Sequence, residues 1–304
     1  MTRHFLTGAE LSAADLAAVL DRAVALKARP DASRALAGAT VALIFERPST
    51  RTRISFEAGV VELGGHPTVL RPEDLQLARG ESVRDTALVL SRHVAAIGVR
   101  TASDGTLEEL AGHSGVPVFN MLSPLHHPVQ ALADLLTLRE IHGDLDGVRL
   151  AYIGDATNVT RSLAVLCAVA GVQLVVASPP GYSLADRGGP EDLPGLTAGA
   201  TVTFENPHEA VRGADAVYTD VWVSMGDEAT AAERRAALAP YRIDDALLDE
   251  AAGGAFALHC LPAHPGEEIT ADVLYGSRQR IWDQAENRRH AQKALLEWLL
   301  GRLP

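Results

Sequence analysis

Short apolar runs alternate with amphipathic stretches over residues 40–142, and the same alternation restarts at residue 148. Thr40–Phe45 is an almost unbroken apolar run of strand length and reads as a buried strand. A helix is predicted over 49–64, a short strand over 67–70, and a helix over 82–93 opened by Ser82 with Asp85 three residues on. A buried strand at 95–99, a helix at 106–113 and a strand at 116–120 follow. The helix predicted over 129–141 places Leu132, Leu135, Leu136 and Ile141 on one buried face.

The second series runs as a strand at 148–153, a helix at Asn158–Ala170, and strands at 174–178 and Thr201–Phe204. Then come a helix at 208–213, a strand at 216–221, a helix at 244–251 and a strand at 255–260. A long terminal helix over 284–300 offers Ala285, Ala294, Leu295 and Trp298 as core contacts. Strand–helix alternation predicts mainly parallel sheets with helices on both faces, so the fold class is α/β with two domains. Residues 143–147 read as the boundary, and the Gly- and Pro-rich 179–194 as a surface loop.

Composition agrees. A chain of 304 residues exceeds what one core commonly serves, and 47% apolar with 22% charged residues is globular. No apolar run approaches a membrane span, and residues 1–11 lack the pattern of a secretory signal. Cys167 and Cys260 cannot form a disulfide framework, so a reducing cytoplasm is expected. The net charge of −12 argues against nucleic acid or an anionic membrane as partner. It leaves small anions open, because screening makes the local field decisive.

Ligands of α/β folds bind at the carboxyl ends of strands. After the first strand comes Glu46-Arg47-Pro48-Ser49-Thr50-Arg51-Thr52-Arg53. Pro48 disfavours helix at Arg47, so a helix should start near Ser49 with its free N–H groups and positive dipole end among hydroxyls and guanidiniums. This reads as an anion site, against the simpler reading of a capped helix with surface arginines. It lacks the glycines and lysine of a Walker loop. Arg100 ends another strand, and His127 and Gln130 lie one turn apart at a helix start, able to donate to a carbonyl or bind an amide, or merely to cap the helix. Gly154-Asp155-Ala156-Thr157-Asn158 opens a helix but lacks the glycine pattern of a dinucleotide site. Asp220, followed by Ser224-Met225-Gly226, puts a carboxylate at a strand end where a substrate ammonium could pair with it; a helix cap is the alternative. At His259-Cys260-Leu261-Pro262-Ala263-His264, a zinc site and a Cys–His nucleophile compete with a thiol that simply walls a pocket.

Residues 45–53 together resemble the carbamoyl-phosphate signature of the aspartate/ornithine carbamoyltransferase family, and His127-Pro128-Val129-Gln130 its second signature. Asp220-Val221-Trp222-Val223-Ser224-Met225-Gly226, His259-Cys260-Leu261-Pro262 and Glu286-Asn287-Arg288 are similar to the ornithine branch. The resemblance implies transfer of a carbamoyl group from carbamoyl phosphate to the side-chain amine of L-ornithine, without cofactor or metal. It implies a domain over 1–142 for carbamoyl phosphate, one over 143–283 for ornithine, and a helix over 284–304 returning to the first.

The implied residues follow position by position. Ser49, Thr50, Arg51, Thr52 and Arg100 bind the phosphate and carbonyl oxygens, and His127 donates to the carbonyl oxygen. Gln130 and the Leu261 carbonyl, beside Cys260, hold the carbamoyl NH2, and Arg288 lies nearby. Gln76 reaches a neighbouring subunit's site. Asn158, Asp220, Ser224 and Met225 hold ornithine's α-amino and carboxylate groups, with Asp220 and Cys260 near the attacking amine. Arg51, Arg100, His127, Asp220 and Cys260 are the implied catalytic set, and the assembly is a homotrimer or a multiple of trimers. Where many relatives carry paired asparagines this chain has Thr157-Asn158, and Arg47 stands where many have lysine. A carbamoyltransferase for putrescine or N-acetylornithine, or a non-catalytic regulatory relative, are the competing expectations.

Overall fold

The computed structural model describes residues 2–76, 80–187, 201–224 and 228–303. The chain divides into two compact units, Met1–Leu136 with Glu286–Pro304, and Thr137–Ala285.

In the first unit a helix α1 (Ala13–Ala28) precedes β1 (Thr40–Phe45), α2 (Thr50–Glu62), β2 (His66–Leu70), α3 (Val83–Leu90), β3 (Ala96–Arg100), α4 (Asp104–His113) and β4 (Val118–Leu122). The strands form a wholly parallel sheet in the order β2-β1-β3-β4. Side chains alternate across it. Ala42, Ile44, Ile97, Val99 and Val118 face Ala87 of α3 and Leu107 and Leu110 of α4. The opposite face carries Phe119, stacked on Phe56 of α2 with ring centroids 5.0 Å apart, so helices cover both faces. Gly98 is required there: a Cβ would lie 2.4 Å from the Phe119 ring.

Helix α5 (Pro128–His142) begins in this unit. It is buried on all sides from Val129 to Leu138 and emerges at residue 139. Ile141 was predicted on its buried face but is 42% exposed, because a helix enclosed all round has no single buried stripe for periodicity to find.

The second unit holds β5 (Arg149–Ile153), α6 (Asn158–Ala170), β6 (Gln173–Ala177), β7 (Thr201–Phe204), α7 (Pro207–Ala210), β8 (Ala216–Thr219), α8 (Ala231–Leu238), α9 (Asp245–Asp249), β9 (Phe256–His259) and α10 (Ala271–Tyr275). Its sheet is again parallel, in the order β7-β6-β5-β8-β9. Ala151, Ile153, Val175, Val217 and Ala257 pack against Val211, Leu247, Leu248 and Val273 on one side, while α6 packs on β6. The last strand stops at His259, so Cys260 lies in the loop beyond it.

The terminal helix α11 (Ile281–Leu299) starts three residues before 284, so Glu286–Arg288 fall inside it rather than at its opening. Ala294, Leu295 and Trp298 are buried, whereas Ala285 is only half-buried. Its residues from Glu286 onward belong to the first unit. There the buried Glu297 accepts from Arg22 of α1 at 2.6 and 3.0 Å and from the Ser33 hydroxyl, and Lys293 pairs with Glu62 of α2 at 2.5 Å.

Candidate active site

Both sheets have a switch point, where neighbouring strands send their connections to opposite sides and a crevice opens at the strand ends. In the first unit it lies between β1 and β3, and in the second between β5 and β8.

At the first switch point α2 starts after Pro48, with Ser49 as an N-cap in extended conformation. Its hydroxyl makes no cap bond to the helix and instead accepts from Arg100 Nη1 at 3.1 Å. The first turn of α2 contains no acidic residue, so no carboxylate of its own offsets the positive dipole end. The pairing of β3 with β4 shifts register between Val99 and Arg100, and such an irregularity re-aims the side chain at the strand end. From α11, Arg288 donates to the Thr52 hydroxyl at 2.6 Å and to Gln130 Oε1, while Gln130 Nε2 donates to Asp134 Oδ1 at 2.8 Å. Thr52, Gln130, Asp134 and Arg288 are all buried. His127 is set by the turn before α5: Ser123 N–H donates to the His126 carbonyl at 2.9 Å, and Asn120 Nδ2 donates to Ser123 Oγ at 3.0 Å.

The charges that act on His127 and Arg100 are cationic. Burial above all, then the nearby Arg288, Arg100 and Arg51, holds His127 well below its ordinary pKa, so the imidazole is neutral near pH 7. Burial, with Arg51 and Arg47 beside it, also lowers Arg100. Clustered guanidiniums that destabilise one another are a standing demand for an anion. Beside the turn opens a cavity of about 690 Å³, lined by Ser49 and Thr50, by the cations Arg47, Arg53 and Arg71, and by the carboxylates Glu46 and Glu73. Arg51 is exposed, and so is Gln76, in the segment after β2.

At the second switch point the groups are acceptors and weak donors. Asp220, just beyond β8, accepts from the Cys260 thiol at 2.9 Å and from the Val221 N–H at 2.8 Å. Asn158 is the first residue of α6, half-buried and capped by Thr157. Ser224 is half-buried, and Met225 lies outside the described residues. Tyr152 beneath them donates to the Asp155 carbonyl at 2.8 Å, and burial with the nearby Asp220 carboxylate pushes its phenol well above the usual range.

The turn at Cys260–Leu261 rests on a buried pair the sequence reading missed. His259 Nδ1 accepts the Leu261 N–H at 2.8 Å, which leaves Nε2 to donate to Glu268 Oε1 at 3.1 Å. That carboxylate oxygen also accepts the His264 N–H at 2.5 Å. Leu261 stands at φ +61°, unusual for a side chain of its size, and the His259 contact over-determines it. Ligand atoms of Asp220, His259 and Cys260 lie within 4.8 Å of one another, but both His259 nitrogens are engaged, so the group suits a hydrogen-bond network better than a metal. The spacing Gln130–Asp134, one helical turn, was a signal that sequence reading could have used; Glu268, in a loop of glycine and acidic residues, offered none.

Residues 3–140 match the model of the aspartate/ornithine carbamoyltransferase carbamoyl-P binding domain, and residues 146–299 that of the Asp/Orn binding domain. An ornithine carbamoyltransferase of Acidothermus cellulolyticus is 53% identical over 99% of this chain and 97% of its own. One of Methanoculleus marisnigri is 48% identical over 99% and 98%. The solved ornithine carbamoyltransferase of Pyrococcus furiosus superposes with a TM-score of 0.89 at 42% identity, covering 99% of this chain and 97% of that one. With both halves matched and full-length relatives at about half identity, the chain belongs to the aspartate/ornithine carbamoyltransferase family.

Proposed function

We infer that this protein transfers the carbamoyl group of carbamoyl phosphate to the side-chain amine of L-ornithine, giving L-citrulline and phosphate. The observation that carries the reading is the first unit's cradle: a bare helix N-terminus with Arg100 on Ser49, Arg288 on Thr52 and a neutral His127. Such a site suits a small dianion bearing a carbonyl.

The nucleophile is a primary amine with a pKa near 10.4, and only its neutral form attacks. Its lone pair forms the new C–N bond at the carbonyl carbon, and the C=O π pair moves onto oxygen. Arg100, the neutral His127 and the Thr52 hydroxyl face the developing oxyanion; each well-placed donor contributes about 3 kcal/mol. The C–O bond to phosphate then breaks, and phosphate, held by Ser49, Thr50, Arg51 and Thr52, takes up the amine's proton. Gln130 and the Leu261 carbonyl hold the carbamoyl NH2, with Cys260 alongside. Asn158, Asp220, Ser224 and Met225 hold ornithine's α-amino and carboxylate ends, and Asp220 and Cys260 attend the amine. No covalent enzyme intermediate and no cofactor enters.

We further propose a cytoplasmic enzyme of arginine biosynthesis, working as a homotrimer or a multiple of trimers, with Gln76 supplied to a neighbouring subunit's site. Among the described residues no helix is long and apolar enough to cross a membrane. The test incubates the protein with carbamoyl phosphate and, separately, ornithine, N-acetylornithine, putrescine and lysine, and measures ureido product and phosphate. Ornithine should exceed each alternative by at least about tenfold in kcat/KM; a preference for putrescine or N-acetylornithine refutes the assignment.

A further inference from the structure

Arg234 lies on α8, in the run Glu233-Arg234-Arg235 that reads as surface charge, yet it is only 7% exposed. A guanidinium taken out of water is costly unless its fork is satisfied. Here each of its faces has a partner, and the partners come from different loops. The Nη2–H donates to the Asp155 carboxylate, itself 2% exposed, in the turn between β5 and α6. The Nε–H donates to the Trp222 carbonyl at 2.6 Å, in the segment after β8. The guanidinium plane lies over the Tyr182 ring at 5.3 Å, in the loop after β6.

These loops frame the second unit's switch point. Asp155 stands three residues before Asn158, and Trp222 lies midway between Asp220 and Ser224. Gly154, at φ +128°, turns the chain beside the end of β8, where a Cβ would make ordinary contact with Thr219 Oγ1 at 3.4 Å and Trp222 Nε1 at 4.0 Å. Backbone bonds already tie the Asp155 turn to its neighbours on one side, Gly154 N–H to the Ala177 carbonyl at 2.9 Å and Ala156 N–H to the Tyr182 carbonyl at 2.8 Å. The buried cation adds the side-chain link from this turn to the Trp222 segment.

We propose that Arg234 is a positioning residue of the amino-acid half-site: by bridging Asp155 and the Trp222 carbonyl it sets the spacing of Asn158, Asp220 and Ser224, and so the affinity for the α-amino and carboxylate ends of the amino-acid substrate. It touches no substrate. The proposal rests on the reading of that half-site given above, and it adds a residue which the motif-bearing segments do not contain. Because Asp155, Tyr182 and Trp222 lie in the second unit, its effect should fall on one substrate only.

The experiment compares the full-length wild type with Arg234→Lys, which keeps the charge and loses the planar fork, and with Asp155→Asn, which keeps the carboxylate's shape and loses its charge. Steady-state kinetics are measured with ornithine varied at saturating carbamoyl phosphate, and the reverse. Competition by 2-aminopentanoate, which carries ornithine's α-amino acid end and no side-chain amine, is measured alongside thermal unfolding. KM for ornithine and the inhibition constant of 2-aminopentanoate should each rise by about tenfold or more in both variants, with KM for carbamoyl phosphate within about twofold and kcat within about threefold. The double variant should cost little more than either single one, since both break the same bridge. If Arg234→Lys does not fold, Asp155→Asn carries the same expectation.

A lower melting temperature with unchanged ornithine KM, or equal rises in both substrates' KM, overturns the proposal in favour of a purely structural ion pair. Ser224→Ala separates this failure from failure of the functional reading. If that variant raises ornithine KM while the Arg234 and Asp155 variants do not, only the positioning role falls. If the wild type does not carbamoylate ornithine at all, the parent reading falls with it.

Discussion

The two units place a candidate site at the same topological point and fill it with opposite chemistry. Between β1 and β3 the strand ends carry Ser49, Arg51 and Arg100 at a helix start without an acid. Between β5 and β8 they carry Asp220 and its Cys260 partner, with Tyr152 sensing the carboxylate. The parallel sheet decides where a crevice opens. On the proposed function, the residues delivered to it decide what enters: a dianion in the first unit and an ammonium-bearing amino acid in the second. Support differs as well. The first site is tied by side chains crossing within the unit from α11, through Arg288 to Thr52 and Gln130. The second is built from loops braced by buried charge, Glu268 on His259 and Arg234 on Asp155.

The sharpest way to break that comparison is to remove charge from the cationic half. Arg51→Ala should lower kcat/KM by about 10²–10³-fold or more, the scale of a lost oxyanion or phosphate contact, with the melting temperature nearly unchanged because Arg51 is exposed. Near-normal turnover in this variant would refute the cradle. In the acceptor half, Asp220→Asn should cost about 10²-fold in kcat/KM for ornithine, read in the same assay, while carbamoyl phosphate binding by calorimetry stays within about twofold. A parallel loss of both affinities would dissolve the division of labour.

Bracing should show as stability first. Glu268→Ala leaves the fully buried His259 without its acceptor, and denaturant unfolding should show a loss of about 1–3 kcal/mol. An unchanged midpoint would mean the pair braces nothing. Cys260→Ser should keep measurable activity, within about tenfold, since the hydroxyl can still donate to Asp220; an inactive but folded variant would point instead to a covalent cysteine. The smallest effect is one of pH. His127 has a folded pKa well below its ordinary 6.5, so below pH 6.5 the unfolded chain binds the extra proton and stability declines as pH falls. Above pH 6.5 that contribution is fully present. His127→Asn should therefore show a shallower loss of stability between pH 6.5 and 5 than the wild type, by at most about 1.4 kcal/mol per pH unit.

How much of this was legible in the sequence depends on whether a signal is local. The strands after residue 40 announce themselves as apolar runs, and Pro48 followed by hydroxyls and arginines marks a helix start at a strand end without any fold in hand. Asp220 and Cys260 are 40 residues apart, and only parallel pairing of β8 with β9 makes them neighbours. Helix α1 was not predicted although Leu16, Val19, Leu20, Ala23 and Leu26 are buried at helical spacing; its many alanines blur the contrast between faces. Arg234 and Glu268 were illegible for a different reason. A charged residue in a polar stretch reads as solvated, and its burial follows from partners far away in sequence.

The most direct measurement is calorimetric titration of carbamoyl phosphate, with no amine present, into the wild type, Arg100→Met and Asp220→Asn. The account expects clear binding to the wild type and to Asp220→Asn, and at least about a hundredfold weaker binding to Arg100→Met. Unchanged affinity in Arg100→Met, or equal loss in both variants, would contradict it.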